Sequence, residues 1–167
     1  MSTITFQSNP VKLNGTFIAI GQMAPPIKLI SSDLSICTFD NYRGRYIILN
    51  IFPSLDTGIC ATSVRKFNTL AASLPNTTVL CISRDLPFAQ SRFCTVEGIK
   101  NVIALSDFRH DSTFGIDYGV EMQNGPLAGL LARAVVVVNP EGRVCHAQLV
   151  PKIKTEPNYD ATIKVIK

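Results

Sequence analysis

The chain has 167 residues, 46% of them hydrophobic and 17% charged, which is the composition of an ordered globular protein and excludes an intrinsically disordered one. Its formal charge of +4 is spread thinly, with no run of lysine or arginine longer than two residues, so the clustered basic patch of a nucleic-acid-binding protein is not expected. No segment approaches the roughly 20 apolar residues of a membrane span, and residues 1–13 lack the pattern of a secretory signal, so we expect a single domain over residues 1–167, located in the cytoplasm.

The first part of the chain predicts short strands that lead to one buried strand. The short strands are expected at 3–7, 11–13, 27–30 and 35–39. The first two would form a hairpin around Ser8-Asn9-Pro10. The nearly continuous apolar run at 45–52 is typical of a strand buried on both faces, and Pro53 ends it.

A helix is predicted directly after this strand, and it carries Cys60 in its first turn. Its apolar residues recur at helical spacing and are Val64, Phe67, Leu70, Ala71 and Leu74. Pro75 prevents the helix from continuing. Unpaired N–H groups and partial positive charge at a helix start favour the thiolate form of a cysteine, which is the nucleophilic form. Thr57 or Asp56 is the expected N-cap, and a Thr57 cap would bond the Cys60 backbone N–H or turn toward its sulfur.

The remaining predicted elements complete an α/β fold. They are a strand at 77–83, a helix at 87–99, and strands at 102–105, 134–138 and 143–150, followed by a last helix at 158–166. The strand–helix–strand unit is parallel with a right-handed crossover, whereas the turn at 139–142 makes the last two strands a hairpin with Cys145 facing inward and His146 outward. This order predicts a thioredoxin-like fold, a central mixed β-sheet flanked by helices with an N-terminal β-hairpin extension. The irregular segment 106–132 is expected to help build a site.

The five cysteines favour buried and reactive thiols over structural disulfides. They are Cys37, Cys60, Cys81, Cys94 and Cys145, and no pair forms a Cys-x-x-Cys motif. With only two histidines in the chain, no zinc site is expected. Cys37 and Cys81 lie in apolar surroundings and are interpreted as packing residues. Cys60 lies between Ile59 and Ala61, and these apolar neighbours would equally fit a cysteine that only packs in the core.

Three sequence blocks resemble one family. Pro53, Thr57 and Cys60 form a Pro-x-x-x-Thr-x-x-Cys pattern, which resembles the active-site signature of the peroxiredoxins. The blocks at 50–68, 80–94 and 125–134 are similar to the bacterial thiol peroxidase subfamily, which consists of atypical 2-Cys peroxiredoxins. Three ordered blocks are a more specific signal than one short motif.

The resemblance implies a fold, a reaction and a set of site residues. The fold would be the peroxiredoxin type of the thioredoxin-like fold. The reaction would be reduction of hydrogen peroxide and of alkyl or lipid hydroperoxides to water and alcohols, as antioxidant defence and redox homeostasis. Cys60 would be the peroxidatic cysteine and Thr57 a hydroxyl bonded to sulfur and peroxide. Arg133 would supply a permanent cation, and Pro53 would shield the thiolate from over-oxidation.

The resemblance also implies how the oxidised enzyme is recycled. Cys94 would resolve the sulfenic acid of Cys60 as an intrachain disulfide, and thioredoxin would reduce that disulfide. Because a disulfide needs Cα atoms within roughly 7 Å, the helix segments at 57–64 and 88–97 are expected to unwind locally in the oxidised form. The resemblance further implies a homodimer, with no cofactor and no metal.

Four other residues depart from the pattern or lie outside it. Arg84 and Thr95 stand where the subfamily leads us to expect small residues or glycine, and Arg84 would add charge near the docking region of the reductant. Arg65 and Arg109 are further candidate charges around the site.

Two other functions fit parts of the sequence. A cysteine hydrolase or acyl transferase would need His110 or His146 as a base beside Cys60. A non-enzymatic redox sensor or holdase would be oxidised at Cys60 without turning over.

Overall fold

A seven-stranded mixed sheet forms the centre of the computed structural model, which describes residues 3–166. In chain order the elements are β1 (Thr3–Phe6), β2 (Asn9–Asn14), β3 (Leu29–Ile30), β4 (Ile36–Cys37), a 3-10 helix (Phe39–Tyr42), β5 (Tyr46–Ile51), α1 (Gly58–Ala71), β6 (Thr77–Ser83), α2 (Pro87–Glu97), β7 (Ile103–Ser106), α3 (Phe114–Asp117), β8 (Glu121–Met122), β9 (Ala134–Val138), β10 (Val144–Leu149) and α4 (Tyr159–Lys164). The strand order of the large sheet is β10-β9-β5-β6-β7-β3-β4. The mixed sheet with flanking helices confirms the predicted fold class.

The strand β5 lies in the middle of this sheet because its apolar run can be buried on both faces. It pairs in parallel with β6 and antiparallel with β9, and all residues of β6 and β9 are buried. Successive residues of each strand point to opposite faces of the sheet, so the strands contribute to two separate cores. One core includes Leu49, Ile51, Leu80, Ile82 and Val136. The other includes Ile48, Val79, Val135 and Val137 together with Cys60, Val64 and Phe67 of α1. Cys60 therefore lies on the face of the sheet that α1 covers.

The helix boundaries follow from proline and glycine. The helix α1 ends at Ala71, one turn before Pro75, because a proline at that position has no N–H for the Ala71 carbonyl and its ring clashes with that carbonyl. The helix α2 begins at Pro87, where a missing N–H is harmless. It ends before Gly98, which takes a φ of 65° and closes the helix with a left-handed cap. The predicted helices are confirmed, with ends two or three residues earlier than expected.

The N-terminal hairpin is part of a second sheet, ordered β1-β2-β8. Its turn lies at Gln7 and Ser8, whose φ values are 51° and 68°, rather than at Ser8-Asn9-Pro10 as the sequence predicted. Two consecutive residues with positive φ are typical of a type I′ hairpin turn, whose twist matches that of the two strands. Gln-Ser is not one of the usual sequences for this turn. Pro10 instead lies within β2, opposite Thr5.

The last hairpin contains a β-bulge that the sequence did not predict. Val144 pairs with Val138 and His146 with Val137, so Cys145 is the extra residue. Cys145 packs against the core beneath α1, while Ala147 and Leu149 pack against the other core. Cys145 and His146 are both half-buried. Cys145 packs inward as predicted, but the predicted alternation is wrong because the bulge puts Cys145 on the opposite face from Ala147 and Leu149 and leaves His146 half-buried rather than outward.

A buried ion-pair network ties the irregular segment 107–132 to the end of β6. Arg84 donates to Asp107 at 3.0 Å, to Glu121 at 2.8 Å and to the carbonyl of Gly129. Its side chain is 17% exposed and that of Asp107 is 0% exposed. Arg84, which the sequence led us to expect as an added charge near the docking region of the reductant, uses its guanidinium for contacts within the molecule.

We expect Arg84→Ala to lower the free energy of unfolding by about 3 kcal/mol, because it leaves the buried Asp107 carboxylate without its cation. Arg43→Ala is the matched control, since Arg43 pairs with Asp40 at a site where the two side chains are 80% and 72% exposed, and such pairs contribute about 0–1 kcal/mol. Urea denaturation measures both. Equal losses in the two variants would contradict a structural role for the network.

Candidate active site

The loop between β5 and α1 is short and held at both ends. The backbone N–H of Phe52 still donates to Ile82 of β6 at 3.1 Å, and Pro53, which is buried, then ends the strand. Thr57 is the N-cap of α1 and has an extended backbone. Cys60 is consequently the third residue of the helix, and its side chain is fully buried. The predicted position of Cys60 in the first turn is confirmed.

A buried arginine lies against the sulfur of Cys60. Nη2 of Arg133 donates to Cys60 Sγ at 3.1 Å, and Nε of Arg133 donates to the carbonyl of Ile153 at 3.0 Å. Arg133 precedes β9, and the pairing of Ala134 with Ile51 brings it to the point where β5 ends. The register of two strands therefore joins residues that are 73 positions apart in the chain.

The guanidinium of Arg133 keeps unused donor capacity. It is 1% exposed, and its Nη1 has no hydrogen-bond partner among residues 3–166. A buried cation is stable only beside an anion or oriented dipoles. A Cys60 thiolate would provide the anion, and the unpaired Nη1 could donate to a second acceptor in the same pocket.

The hydroxyl of Thr57 has a different partner from the one expected. Oγ1 of Thr57 donates to the carbonyl of Ser54 at 2.9 Å, within the turn that also bonds the two backbones. The side chain makes no cap bond in the described chain, so the predicted bond to the Cys60 N–H is wrong. Because the hydroxyl proton is used by Ser54, the Thr57 oxygen is left as an acceptor.

Two polar residues beneath Cys60 were missed by sequence reasoning. Ser63 donates to the carbonyl of Cys60 at 2.9 Å, and Asn50 Nδ2 donates to Ser63 Oγ at 3.3 Å and to Cys81 Sγ at 3.7 Å. Asn50 is the one polar residue in the apolar run of β5, which was an available signal. Burial raises the pKa of the Cys81 thiol to about 12, which agrees with its interpretation as a packing residue.

Cys94 lies on α2, half-buried, and packs against the same core as Cys60. A groove of about 500 Å³ runs along it. Burial raises the pKa of its thiol. All five cysteines are free in the described part of the chain, and both α1 and α2 are regular helices, so the structure is a fully reduced form.

The other candidate charges do not reach Cys60. Arg65 of α1 pairs with Glu97 of α2, which joins the two helices, and Arg109 is exposed and lies over the ring of Phe108. Thr95 is exposed on α2.

The hydrolase interpretation lacks a base in this geometry. His110 is exposed, and His146 is half-buried in β10, where burial lowers its pKa. Neither histidine bonds Cys60 within residues 3–166, so a hydrolase mechanism at Cys60 has no proton acceptor there. Over the same residues, no group of three or more side chains has the makeup of a metal site, and no helix is long and apolar enough to cross a membrane.

Comparison with known proteins identifies the family. A family model described as Redoxin matches residues 19–163. A thiol peroxidase of Corynebacterium glutamicum is 51% identical over 166 residues, with 99% of each chain covered, and one of Mycobacterium tuberculosis is 49% identical over the same length. The crystal structure of a peroxiredoxin-like protein from Aquifex aeolicus matches with a TM-score of 0.91 at 40% identity, over 99% of this chain and 96% of that one. The chain therefore belongs to the redoxin family and, within it, to the bacterial thiol peroxidases, which are enzymes of the peroxiredoxin type.

Proposed function

We propose that this thiol peroxidase reduces hydrogen peroxide and organic hydroperoxides, both alkyl and lipid, with Cys60 as the attacking thiol. The observation that carries the proposal is the 3.1 Å contact between Arg133 Nη2 and Cys60 Sγ in a fully buried site. A permanent cation beside a sulfur at a helix start favours the thiolate. Membership in a family of enzymes also disfavours the non-enzymatic sensor.

In the first step the Cys60 thiolate attacks one oxygen of the hydroperoxide. The sulfur–oxygen bond forms as the oxygen–oxygen bond breaks, which leaves Cys60 as a sulfenic acid, and the departing oxygen takes a proton from solvent water to become water or an alcohol. Negative charge moves from sulfur to that oxygen, and the unpaired Nη1 of Arg133 is the donor available to stabilise it. The Thr57 oxygen would accept a hydrogen bond from the hydroxyl group of the peroxide, and buried Pro53 would shield the sulfur.

In the second step the Cys60 sulfenic acid condenses with the Cys94 thiol to give a disulfide and water. The shared core of the two cysteines supports this pairing. The two helices must open, because a disulfide requires close Cα atoms. The helix α2 buries two of its eleven residues, Pro87 and Gln90, and exposes Phe88 and Val96, so we infer that α2 opens more readily than α1.

Recycling would need an external dithiol, since the chain has no Cys-x-x-Cys motif of its own, and the family relationship favours thioredoxin as that dithiol. A cytoplasmic location, as the sequence leads us to expect, would supply the reducing environment that such recycling needs. We infer a single domain and a homodimer as well, with no cofactor. As a peroxidase that is recycled by thioredoxin, the protein would act in antioxidant defence and redox homeostasis.

Serine variants of the two cysteines test the proposed roles. We expect Cys60→Ser to abolish peroxide consumption coupled to thioredoxin, because it removes the nucleophile. Cys94→Ser should consume one equivalent of peroxide and then be recycled poorly. Cys145→Ser is the matched control for a half-buried thiol and should turn over like the wild type. Turnover by Cys60→Ser would contradict the assignment.

Replacement of Arg133 tests the electrostatic role. We expect Arg133→Lys to slow the reaction of Cys60 with peroxide by about 10²–10³-fold, because the donors of an ammonium group lie on one nitrogen and cannot span the separate positions that Nε, Nη2 and Nη1 of the guanidinium reach. Rapid mixing in a Cys94→Ser background measures this step alone. Arg143→Lys, which alters an exposed arginine bonded to the carbonyl of Gly21, is the control. Equal rates in both variants would argue against the role of Arg133.

Amide hydrogen exchange tests the opening of the helices. We expect the segment 88–97 to lose protection when the disulfide forms, and 57–64 to lose less, because α1 buries five residues and α2 two. The comparison is between reduced and peroxide-oxidised protein. Protection that is the same in both states would contradict local unwinding.

A further inference from the structure

Asp85 connects the loop before Cys60 to the strand that leads into α2. Its Oδ1 accepts from the hydroxyl of Ser54 at 2.7 Å, and its Oδ2 accepts from the backbone N–H of Leu55 at 2.8 Å and from the hydroxyl of Ser83 at 2.7 Å. Asp85 is half-buried. Three donors on one carboxylate, from both sides of the site, hold it in one orientation.

One arm of this network ends at the Thr57 hydroxyl. Ser54 donates its side-chain hydroxyl to Asp85, and its carbonyl accepts from Thr57 Oγ1 at 2.9 Å. The hydroxyl oxygen of Ser54 also accepts from the backbone N–H of Asp56 at 3.1 Å. The carboxylate of Asp85 therefore fixes the turn that sets which way the Thr57 oxygen points.

The other arm ends on α2, one turn before Cys94. Ser83 donates to Asp85 and accepts from Gln90 Nε2 at 3.2 Å. Gln90 is 0% exposed and also donates to the carbonyl of Leu105 at 2.9 Å. Gln90 and Cys94 are four positions apart in one helix, so the bonds that fix Gln90 also fix the turn that carries Cys94.

We propose that Asp85 is a positioning residue with opposite effects on the two steps of the reaction, an inference that rests on the proposed function. Through Ser54 it orients Thr57 for the attack of Cys60 on peroxide, which speeds sulfenic acid formation. Through Ser83 it holds α2 in its helical form, which slows the condensation of the sulfenic acid with Cys94. The network is complete in the reduced form and its α2 arm is broken when the disulfide forms.

Asp85→Asn tests this inference because the amide keeps the shape of the side chain but replaces one acceptor oxygen by a donor. We expect sulfenic acid formation, measured by quenching and mass spectrometry in a Cys94→Ser background, to slow by about tenfold. Disulfide formation, measured with Cys94 intact at saturating peroxide, should quicken by about fivefold. Asp40→Asn, an exposed carboxylate bonded to Arg43 before the opposite end of β5, should match the wild type in both steps.

A merely structural role would slow both steps together, and that result would overturn the inference, as would rates within twofold of the wild type in both steps. If Asp85→Asn does not fold, two variants that each break one branch of the hydrogen-bond network, Ser54→Ala and Ser83→Ala, test the inference instead. Ser54→Ala should slow the first step more than Ser83→Ala does, and Ser83→Ala should quicken the second step more than Ser54→Ala does; the reverse order would overturn it. Wild-type protein that forms no sulfenic acid would overturn the proposed function itself.

Discussion

The contact between Arg133 and Cys60 is the constraint around which the rest of the structure is arranged. Removing a guanidinium from water costs several kcal/mol, and that penalty is offset only if its hydrogen bonds are directed at well-placed acceptors. The carbonyl of Ile153 and the sulfur of Cys60 are those acceptors. The sheet holds Arg133 and the start of the loop that leads to Cys60, since β5 and β9 pair through five residues and are buried on both faces. Ile153 is held by its own backbone N–H, which donates to the carbonyl of Thr5. The large apolar core therefore stabilises a buried contact between an arginine and a cysteine that would not form in isolation.

The elements that build this constraint could be predicted because their signals are local. The apolar runs that became β5, β6 and β9 are continuous, as expected for strands covered on both faces. Helical spacing after Pro53 located α1 and put Cys60 in its first turn. By contrast, β8 has two residues and forms by pairing with β2, more than a hundred positions away, so no local pattern marks it. The bulge at Cys145 was hidden because it interrupts a regular alternation without a glycine or proline.

Within the site, the sequence identified residue types and the structure supplied their partners. Thr57 was identified by its spacing from Cys60, but its bond to Ser54 depends on the geometry of a turn. Asn50 and Ser63 lie beneath Cys60 on different elements, and Asp85 joins residues about thirty positions apart. Arg84 was interpreted as a surface charge because its partners, Asp107 and Glu121, are distant in sequence. Polar networks of this kind depend on tertiary contacts, for which a single sequence contains no periodic signal.

The two cysteine helices are held by different forces, and the difference suits a reaction cycle. The helix α1 is anchored by buried side chains such as Val64 and Phe67, each of which stabilises it by about 1.5–3 kcal/mol. The helix α2 buries two residues, Pro87 and Gln90, and packs Phe93 and Cys94 partly against the core, and its polar contacts run from Gln90 to Ser83 and from Glu97 to Arg65. A hydrogen bond contributes about 0.5–1.5 kcal/mol net, because water replaces the lost partner when it breaks. We expect a helix held in this way to open more readily than α1, whose larger number of buried side chains limits how far it unwinds.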